Sequence, residues 1–205
     1  MSKILLREFF ELKCDDRGCR DLLNEGEKKM LSEGYLVFPA KLQEADALNG
    51  NGRSYPRTIL EREIKNYIKL VNEGRAIGEC DHPDESVINL RNASHMVNRL
   101  WWDGNNVMGT IKCLKTPAGQ ILEGLYKSGV KFGFSSRALG SLKPCPKGSG
   151  TQIVQEDLQL ICFDAVSEPS APGAYIMREG KVQGLTQIFT KGDRINRALN
   201  NILLG

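Results

Sequence analysis

Two histidines restrict any histidine-dependent chemistry in this chain to two positions. His82 precedes Pro83 in a loop-like segment, and a residue before proline is held out of helical geometry. Catalytic side chains concentrate on such loops, although a surface or helix-capping histidine is the competing interpretation. His95 stands at the start of a predicted strand with no acidic residue within a few positions, so we expect a sheet-edge histidine there.

Two adjacent serines are the candidate nucleophiles. Ser135 and Ser136 lie among small and apolar residues, with Arg137 directly after them. A serine becomes a nucleophile only beside a base, and a cation or backbone N–H groups must meet the oxyanion that its attack creates. Because Ser-Ser-Arg is also common in solvated turns and strand ends, residue type alone leaves both interpretations open.

Asp164 is the candidate acidic partner. It stands toward the end of an apolar run that begins at Leu160. A carboxylate that is buried without a partner costs several kcal/mol, so we expect Asp164 to be paired. An imidazole is the kind of partner that a Ser-His-Asp triad provides.

The six cysteines offer two rival interpretations. Cys80 lies two residues before His82, which makes a Cys80-dependent hydrolase an alternative. A zinc site could be assembled on paper from Cys14, Cys19, Cys80 and His82, but this spacing matches no recurrent ligand pattern. We expect reduced thiols without disulfides, and neither a metal nor a cofactor.

Length and composition narrow the classes of protein to consider. The 205 residues suit one domain with terminal extensions, and 40% hydrophobic with 26% charged residues is typical of a globular chain. The 28 basic and 25 acidic residues are interspersed, which does not favour a phosphate-binding stripe. Since no signal sequence or membrane-spanning run is evident, we expect a soluble, intracellular protein.

The helices and strands that must position these residues are predicted from the periodicity of apolar residues and from turn signals. Apolar residues recur at helical spacing over residues 56–72, where Pro56 suits a first turn and Gly74 a stop. Helices are also predicted over residues 117–128 and 194–204, and strands or hairpins at 35–38, 96–114, 152–154 and 158–163. The predicted fold is α+β, with a mainly antiparallel, barrel-like β core and about three flanking helices.

Four stretches, in this order, resemble the prohead core protease family of phages with contractile tails. They read NGRSYP at residues 51–56, GECDHP at 78–83, GFSSRALGS at 133–141 and DAVSEPSAPGA at 164–174. Two tryptophans at 101–102, with the Gly-Asn-x-Val that follows, extend the match. The family is related to the herpesvirus capsid maturation protease, so the resemblance implies a herpesvirus-protease-like fold.

The resemblance implies a serine endopeptidase in which Ser135 is the nucleophile, His82 the general base and Asp164 the orienting acid. Herpesvirus relatives use a second histidine after the serine, whereas this chain has none beyond His95, and Asp164 is the matching candidate. Ser136 and Arg137 are expected to serve the substrate or the oxyanion.

The resemblance also implies the biological setting. Substrates would be phage scaffold or core proteins and the major capsid protein, cut after Leu-x-Glu or Ile-x-Glu in the prohead interior, within the host cytoplasm. The enzyme would be a self-processing zymogen and a homo-oligomer. The interspersed charges and the lack of a membrane-spanning run argue against a specific nucleic acid or a membrane as partner. Residues 1–34 would form an arm that could block the site, 35–176 the protease domain and 177–205 a tail.

In the predicted arm, self-cleavage sequences of this kind end at Glu8, Glu25 and Glu33, and just beyond it at Glu44, whereas none follows Glu123. Cleavage within the arm is therefore favoured over C-terminal processing. Besides the Cys80-dependent hydrolase, two alternatives remain: a non-catalytic structural or scaffold component of the virion, and a nucleic-acid-binding barrel, which would bind in a salt-sensitive way.

Overall fold

A computed structural model describes residues 4–10, 19–83, 85–130, 132–146 and 150–167. Within these ranges the chain forms three α-helices, α1 (Glu25–Ser32), α2 (Arg57–Asn72) and α3 (Pro117–Ser128). It also forms ten strands: β1 (Ile4–Phe10), β2 (Val37–Glu44), β3 (Arg53–Ser54), β4 (Ile77–Glu79), β5 (Ala93–Asp103), β6 (Asn106–Cys113), β7 (Gly133–Gly140), β8 (Leu142–Pro144), β9 (Gln152–Val154) and β10 (Gln159–Val166).

The strands divide into three sheets. The first has the order β1-β7-β10 and the second β2-β6-β5-β4, and all pairings in both are antiparallel. A small third sheet, β3-β9-β8, contains the parallel pair β3 and β9. The predicted α+β class with mainly antiparallel sheets is confirmed, but the barrel-like core is not a closed barrel. Among the described residues, the first and second sheets share a single isolated bridge, Cys80 to Ala165, rather than a continuous ladder.

Two helices begin and end where their local signals predict. In α2, Pro56 stands at the N-cap and Gly74, with φ of 67°, follows the last turn. In α3, the Thr116 side chain accepts a hydrogen bond from the backbone N–H of Gly119, and Gly129 caps the C-terminus with φ of 90°. Neither these two helices nor α1 is long and apolar enough to span a membrane, so the described part of the chain contains no candidate span.

The segment predicted as an arm contributes two elements to the fold. Strand β1 pairs with β7 from Phe134 to Gly140, and the Leu6 side chain is fully buried in the core. Helix α1 begins with a capping box between Asn24 and Glu27. Glu27 is also buried, where it accepts hydrogen bonds from Thr110 and Arg99 on the second sheet. The third helix of the fold is therefore α1, while the helix predicted over residues 194–204 and the tail at 177–205 lie outside the described residues.

An aromatic core supports the strand that carries the candidate nucleophile. Phe38 of β2 contacts Phe134 of β7 at a ring-centroid distance of 5.8 Å, and Phe163 of β10 meets Tyr67 of α2 edge to face at 5.3 Å. Since side chains alternate along a strand, Phe134 and Ser136 share one face of β7 and Ser135 shares the other with Arg137. All four side chains are buried, which holds this part of β7 in a single position.

Candidate active site

Strand pairing brings the serine and the aspartate together. β7 lies between β1 and β10, and the antiparallel register places Ser135 directly opposite Asp164. Residues opposite each other on neighbouring strands point to the same face of a sheet. Two residues that are 29 positions apart in the chain therefore present their side chains side by side.

A sharp turn after β4 brings in the histidine. The backbone N–H of Asp81 donates to the carbonyl oxygen of Ala165 at 2.7 Å, so the end of β4 lies against the end of β10. Asp81 has φ of 66°, a left-handed conformation that aspartate tolerates better than most residues. His82 follows directly and turns back over Asp164.

Gly78 makes this approach of β4 to β10 possible. A Cβ atom at this position would lie 2.1 Å from the carbonyl oxygen of Phe163 and 2.3 Å from Nε2 of His95. Real Cβ atoms do not come this close to such atoms. The residue therefore has to lack a side chain for β4 to reach the position from which the next residues contact Asp164.

The three candidate residues form a continuous hydrogen-bonded chain. Nδ1 of His82 lies 2.8 Å from Oδ2 of Asp164, and Nε2 lies 2.6 Å from Oγ of Ser135. Since an ionised carboxylate can only accept, Nδ1 carries the proton and Nε2 accepts from the serine hydroxyl. This is the geometry in which an imidazole can remove the proton of a serine as its oxygen attacks.

The surroundings keep Asp164 ionised. Burial on its own would raise the pKa of this fully buried carboxyl, but the hydrogen bond from His82 and the charge of Arg137 lower it further than burial raises it. The backbone N–H of Glu79 adds a third donor at 3.0 Å from Oδ1. The net direction is a lowered pKa, so the carboxylate persists at neutral pH and can orient the imidazole.

Two further predicted residues, Ser136 and Arg137, have partners other than Ser135 and His82. The Ser136 hydroxyl is on the opposite face of β7, where Nε2 of Gln43 donates to it at 3.0 Å. The Arg137 guanidinium is fully buried, with Nη2 3.1 Å from Oδ1 of Asp164 and its charge paired with Glu79. The Ser136 hydroxyl therefore does not share a face of β7 with the hydroxyl of Ser135, and the Arg137 guanidinium is held by two carboxylates, while a role of either residue toward the substrate or the oxyanion stays a prediction.

Glu79 is the functional candidate that sequence reasoning missed. Its side chain is fully buried and is paired with Arg137, while its backbone N–H contacts Asp164. The available signal was a carboxylate inside the GECDHP stretch, next to a glycine and a cysteine in a short predicted strand. Such a residue in an apolar setting needs a buried cation, and sequence alone did not indicate which of the many basic residues that was.

His95 is buried inside the second sheet, so its interpretation as a sheet-edge residue was wrong. Strand β5 lies between β6 and β4, and the imidazole is fully buried. Nε2 lies 2.9 Å from the carbonyl oxygen of Phe163, and Nδ1 lies 2.8 Å from Oγ of Ser94. Burial lowers the pKa of His95 from 6.5 to about 4, despite the opposing effects of the Phe163 carbonyl and the Asp164 charge. The residue is therefore a neutral core histidine at physiological pH.

The cysteine alternatives receive little support. Burial raises the pKa of the Cys80 thiol, and the nearby Asp81 charge raises it further, which is the opposite of what a reactive thiolate needs. Within the described ranges, no group of three or more histidine, cysteine or acidic side chains is arranged to hold a metal ion. Cys14 lies outside those ranges.

Comparisons with a protein family, a related sequence and a solved structure all match proteases of the phage prohead or capsid. Residues 21–183, which include His82, Ser135 and Asp164, match the family described as prohead core protein serine protease. The prohead core protein protease of Enterobacteria phage T4 is 36% identical over 145 residues, which is 69% of this chain and 68% of the relative. The solved structure of the bacteriophage T4 capsid assembly protease, gp21, aligns with a TM-score of 0.66 at 25% identity, covering 82% of this chain and 99% of that chain. Since the family match extends over most of the sequence and confirms the resemblance drawn from its motifs, the chain belongs to the prohead core serine protease family.

Proposed function

We propose that this protein is a serine endopeptidase of phage capsid maturation, with Ser135 as nucleophile, His82 as general base and Asp164 as the acid that orients the imidazole. The observation that carries the proposal is the continuous chain from Asp164 through His82 to Ser135, with contacts of 2.8 and 2.6 Å. Membership of a protease family of the prohead core supports the choice of reaction.

The proposed reaction is acyl transfer to the serine. Oγ of Ser135 forms a bond to the scissile carbonyl carbon while its proton passes to Nε2 of His82. The imidazolium then gives that proton to the departing amine nitrogen as the peptide C–N bond breaks. Water, deprotonated by the same nitrogen, attacks the acyl-enzyme and releases the new carboxylate together with Ser135. Backbone N–H groups near Ser135 would serve the oxyanion.

The proposed substrates are the scaffold or core proteins of the prohead and its major capsid protein, cut after Leu-x-Glu or Ile-x-Glu. The names of the T4 relatives, a prohead core protein protease and a capsid assembly protease, support this setting. The enzyme would act in the prohead interior within the host cytoplasm, as a homo-oligomer made as a zymogen.

Burial distinguishes the candidate self-cleavage sites in the N-terminal segment. The sites ending at Glu8 and Glu44 each contain a fully buried leucine within a strand, Leu6 or Leu42, and the site ending at Glu25 contains the buried Leu23. The site ending at Glu33 lies where α1 ends, and Ser32, Glu33 and Gly34 are exposed. The exposed chain where a helix ends is cut more easily than a paired strand, so we propose Glu33 as the first self-cleavage site.

The test uses the purified full chain and two peptides that differ only in Leu-x-Glu or Leu-x-Gln. We expect cleavage after the glutamate alone, together with slow self-cleavage that produces a new N-terminus at Gly34. Ser135→Ala should lower the rate by on the order of 10⁴-fold or more, because the nucleophile is lost while binding persists. Mass spectrometry of peptides and protein measures both cleavages.

A fluorophosphonate probe gives a second measurement that does not depend on the choice of peptide. It should add its mass to Ser135 in the wild-type protein and leave Ser135→Ala unmodified. Unchanged peptide cleavage in Ser135→Ala would contradict the proposed nucleophile. Absence of both labelling and cleavage in the folded wild-type protein would favour a structural role in the virion instead.

A further inference from the structure

A buried cluster of charges lies directly behind Asp164. Arg137 contacts it twice, with Nε 2.9 Å from Oδ2 and Nη2 3.1 Å from Oδ1. On its other side the same guanidinium is paired with Glu79, and Nη1 donates to the carbonyl oxygen of Glu85 at 2.8 Å. The side chains of Asp164, Arg137 and Glu79 are all fully buried, so water does not screen the interactions among them.

Glu79 is held in place from both ends. Oε1 accepts a hydrogen bond from the backbone N–H of Asn89 at 3.1 Å, while Oε2 faces Arg137. Its own backbone N–H donates to Asp164. The residue is thus linked to the aspartate through the main chain and, by way of Arg137, through the side chain.

The other ionisable groups that face this cluster do not alter its charge at neutral pH. They are Cys162 from β10, Tyr67 from α2 and His95 from β5. Burial raises the pKa of Cys162 and of Tyr67 well above their ordinary values, and burial lowers that of His95 to about 4, so all three are neutral. Two carboxylates and one guanidinium remain, which leaves one negative charge.

We propose that Glu79 and Arg137 are positioning residues of this site, in which Glu79 balances the charge of Arg137 so that Asp164 keeps one negative charge for the imidazolium of His82. The inference rests on the proposed function. Arg137 on its own would hold Asp164 rigidly but would also neutralise it. Glu79 cancels that second effect, so the cluster becomes neutral at the moment when His82 takes the proton of Ser135. A fixed counter-charge of this kind requires no reorganisation during the reaction.

The proposal predicts different effects from two substitutions. Glu79→Gln leaves Asp164 and Arg137 as a neutral pair, so His82 should gain its proton at a pH about one unit lower than in the wild type. Arg137→Met removes the cation; when one of the two buried carboxylates then takes up a proton, the cluster still keeps one negative charge, so His82 should gain its proton at a pH no lower than in the wild type. The double variant again has one negative charge, from Asp164, and should titrate close to the wild type.

The assay is NMR titration of the imidazole ring protons in full-length protein. Because the chain has two histidines, His95→Gln assigns the signals without ambiguity. The matched control is Glu63→Gln, which removes another buried carboxylate that is paired with an arginine, Arg62, and accepts from the N–H of Leu160 at 2.9 Å. It lies outside the cluster and should leave the titration of His82 unchanged.

Activity supplies the second readout. In Glu79→Gln we expect kcat for the Leu-x-Glu peptide to fall about tenfold with KM unchanged, and the double variant to recover most of the loss. Circular dichroism confirms that each variant is folded, and if Arg137→Met alone does not fold, Glu79→Gln and the double variant carry the test.

Two results would overturn the proposal. One is a titration of His82 that shifts by the same amount in Glu79→Gln and Glu63→Gln, or that shifts in neither variant. The other is a titration of His82 that departs further from the wild type in the double variant than in Glu79→Gln. The titration does not depend on turnover, so the proposed function and the charge balance fail separately. Shifts as predicted in a protein without Ser135-dependent cleavage would refute the function alone, whereas Ser135-dependent cleavage without the shifts would refute the charge balance.

Discussion

The stability of the protein should depend on pH through His95, the buried histidine outside the candidate triad. Its ring is fully buried, and it meets the Phe134 ring edge to face at a centroid distance of 4.9 Å. The folded state therefore disfavours the imidazolium, and burial lowers the pKa from 6.5 to about 4. As the pH falls below 6.5 the unfolded chain takes up a proton that the folded chain refuses, so stability is lost as the pH drops toward 4.

The size of the effect follows from the two pKa values. A gap between 6.5 and about 4 corresponds to roughly 3 kcal/mol once both states are protonated, and to about 2 kcal/mol at pH 5. The perturbation is His95→Gln, because the amide nitrogen of glutamine can still donate to the carbonyl oxygen of Phe163. It removes the titrating group and keeps that contact.

Urea unfolding of both proteins at pH 8 and pH 5 measures the effect. We expect the wild type to lose about 2 kcal/mol more than His95→Gln over this interval. His82 is present in both proteins, so its own titration cancels, and a packing defect in the variant would lower its stability at both pH values alike. An equal loss in the two proteins would refute the reasoning that burial keeps His95 neutral.

Three further predictions concern other positions. Gly78→Ala should destabilise the protein by at least about 3 kcal/mol in urea unfolding, because its Cβ would lie 2.1 Å from the carbonyl oxygen of Phe163. Glu27→Ala should lower the free energy of unfolding by about 2 kcal/mol, because the α1 capping box and the contacts to Arg99 are lost, with kcat for peptide cleavage unchanged. Cys80→Ala should leave that activity within about twofold of wild type, because burial raises the pKa of its thiol and keeps it protonated.

Each of these predictions has its own control. Gly124→Ala suits Gly78→Ala, since nothing lies within 4 Å of a Cβ at Gly124, and equal stability of the two variants would contradict the argument from close approach. Glu25→Ala, at an exposed position of the same helix, should cost far less than Glu27→Ala. Loss of activity in Cys80→Ala, with Ser135→Ala still active, would restore the Cys80-dependent hydrolase.

Local patterns in the sequence were enough to predict part of the fold. Helices α2 and α3 were predicted because proline, glycine and apolar residues at helical spacing act within a few positions of the chain. Strand β9 and the hairpin of β5 and β6 follow from β-prone segments and turn signals in the same way. The domain boundaries at residues 34 and 176 and the herpesvirus-like relationship stay predictions.

The candidate site, like the fold, was predicted only in part from the sequence. Residue types and motifs pointed to Ser135, His82 and Asp164, because a triad needs those groups and a buried carboxylate needs a partner. Only tertiary structure decided the placement of Arg137, whose charge is paired with Glu79, a residue 58 positions away. The burial of His95 was also decided by the tertiary structure, because it depends on which strands flank β5. The same holds for the contacts by which Glu27 anchors α1 to the second sheet. The sequence around a charged residue does not indicate which distant charge it will contact in the core. Strand pairing and burial select that partner only when the sheets assemble.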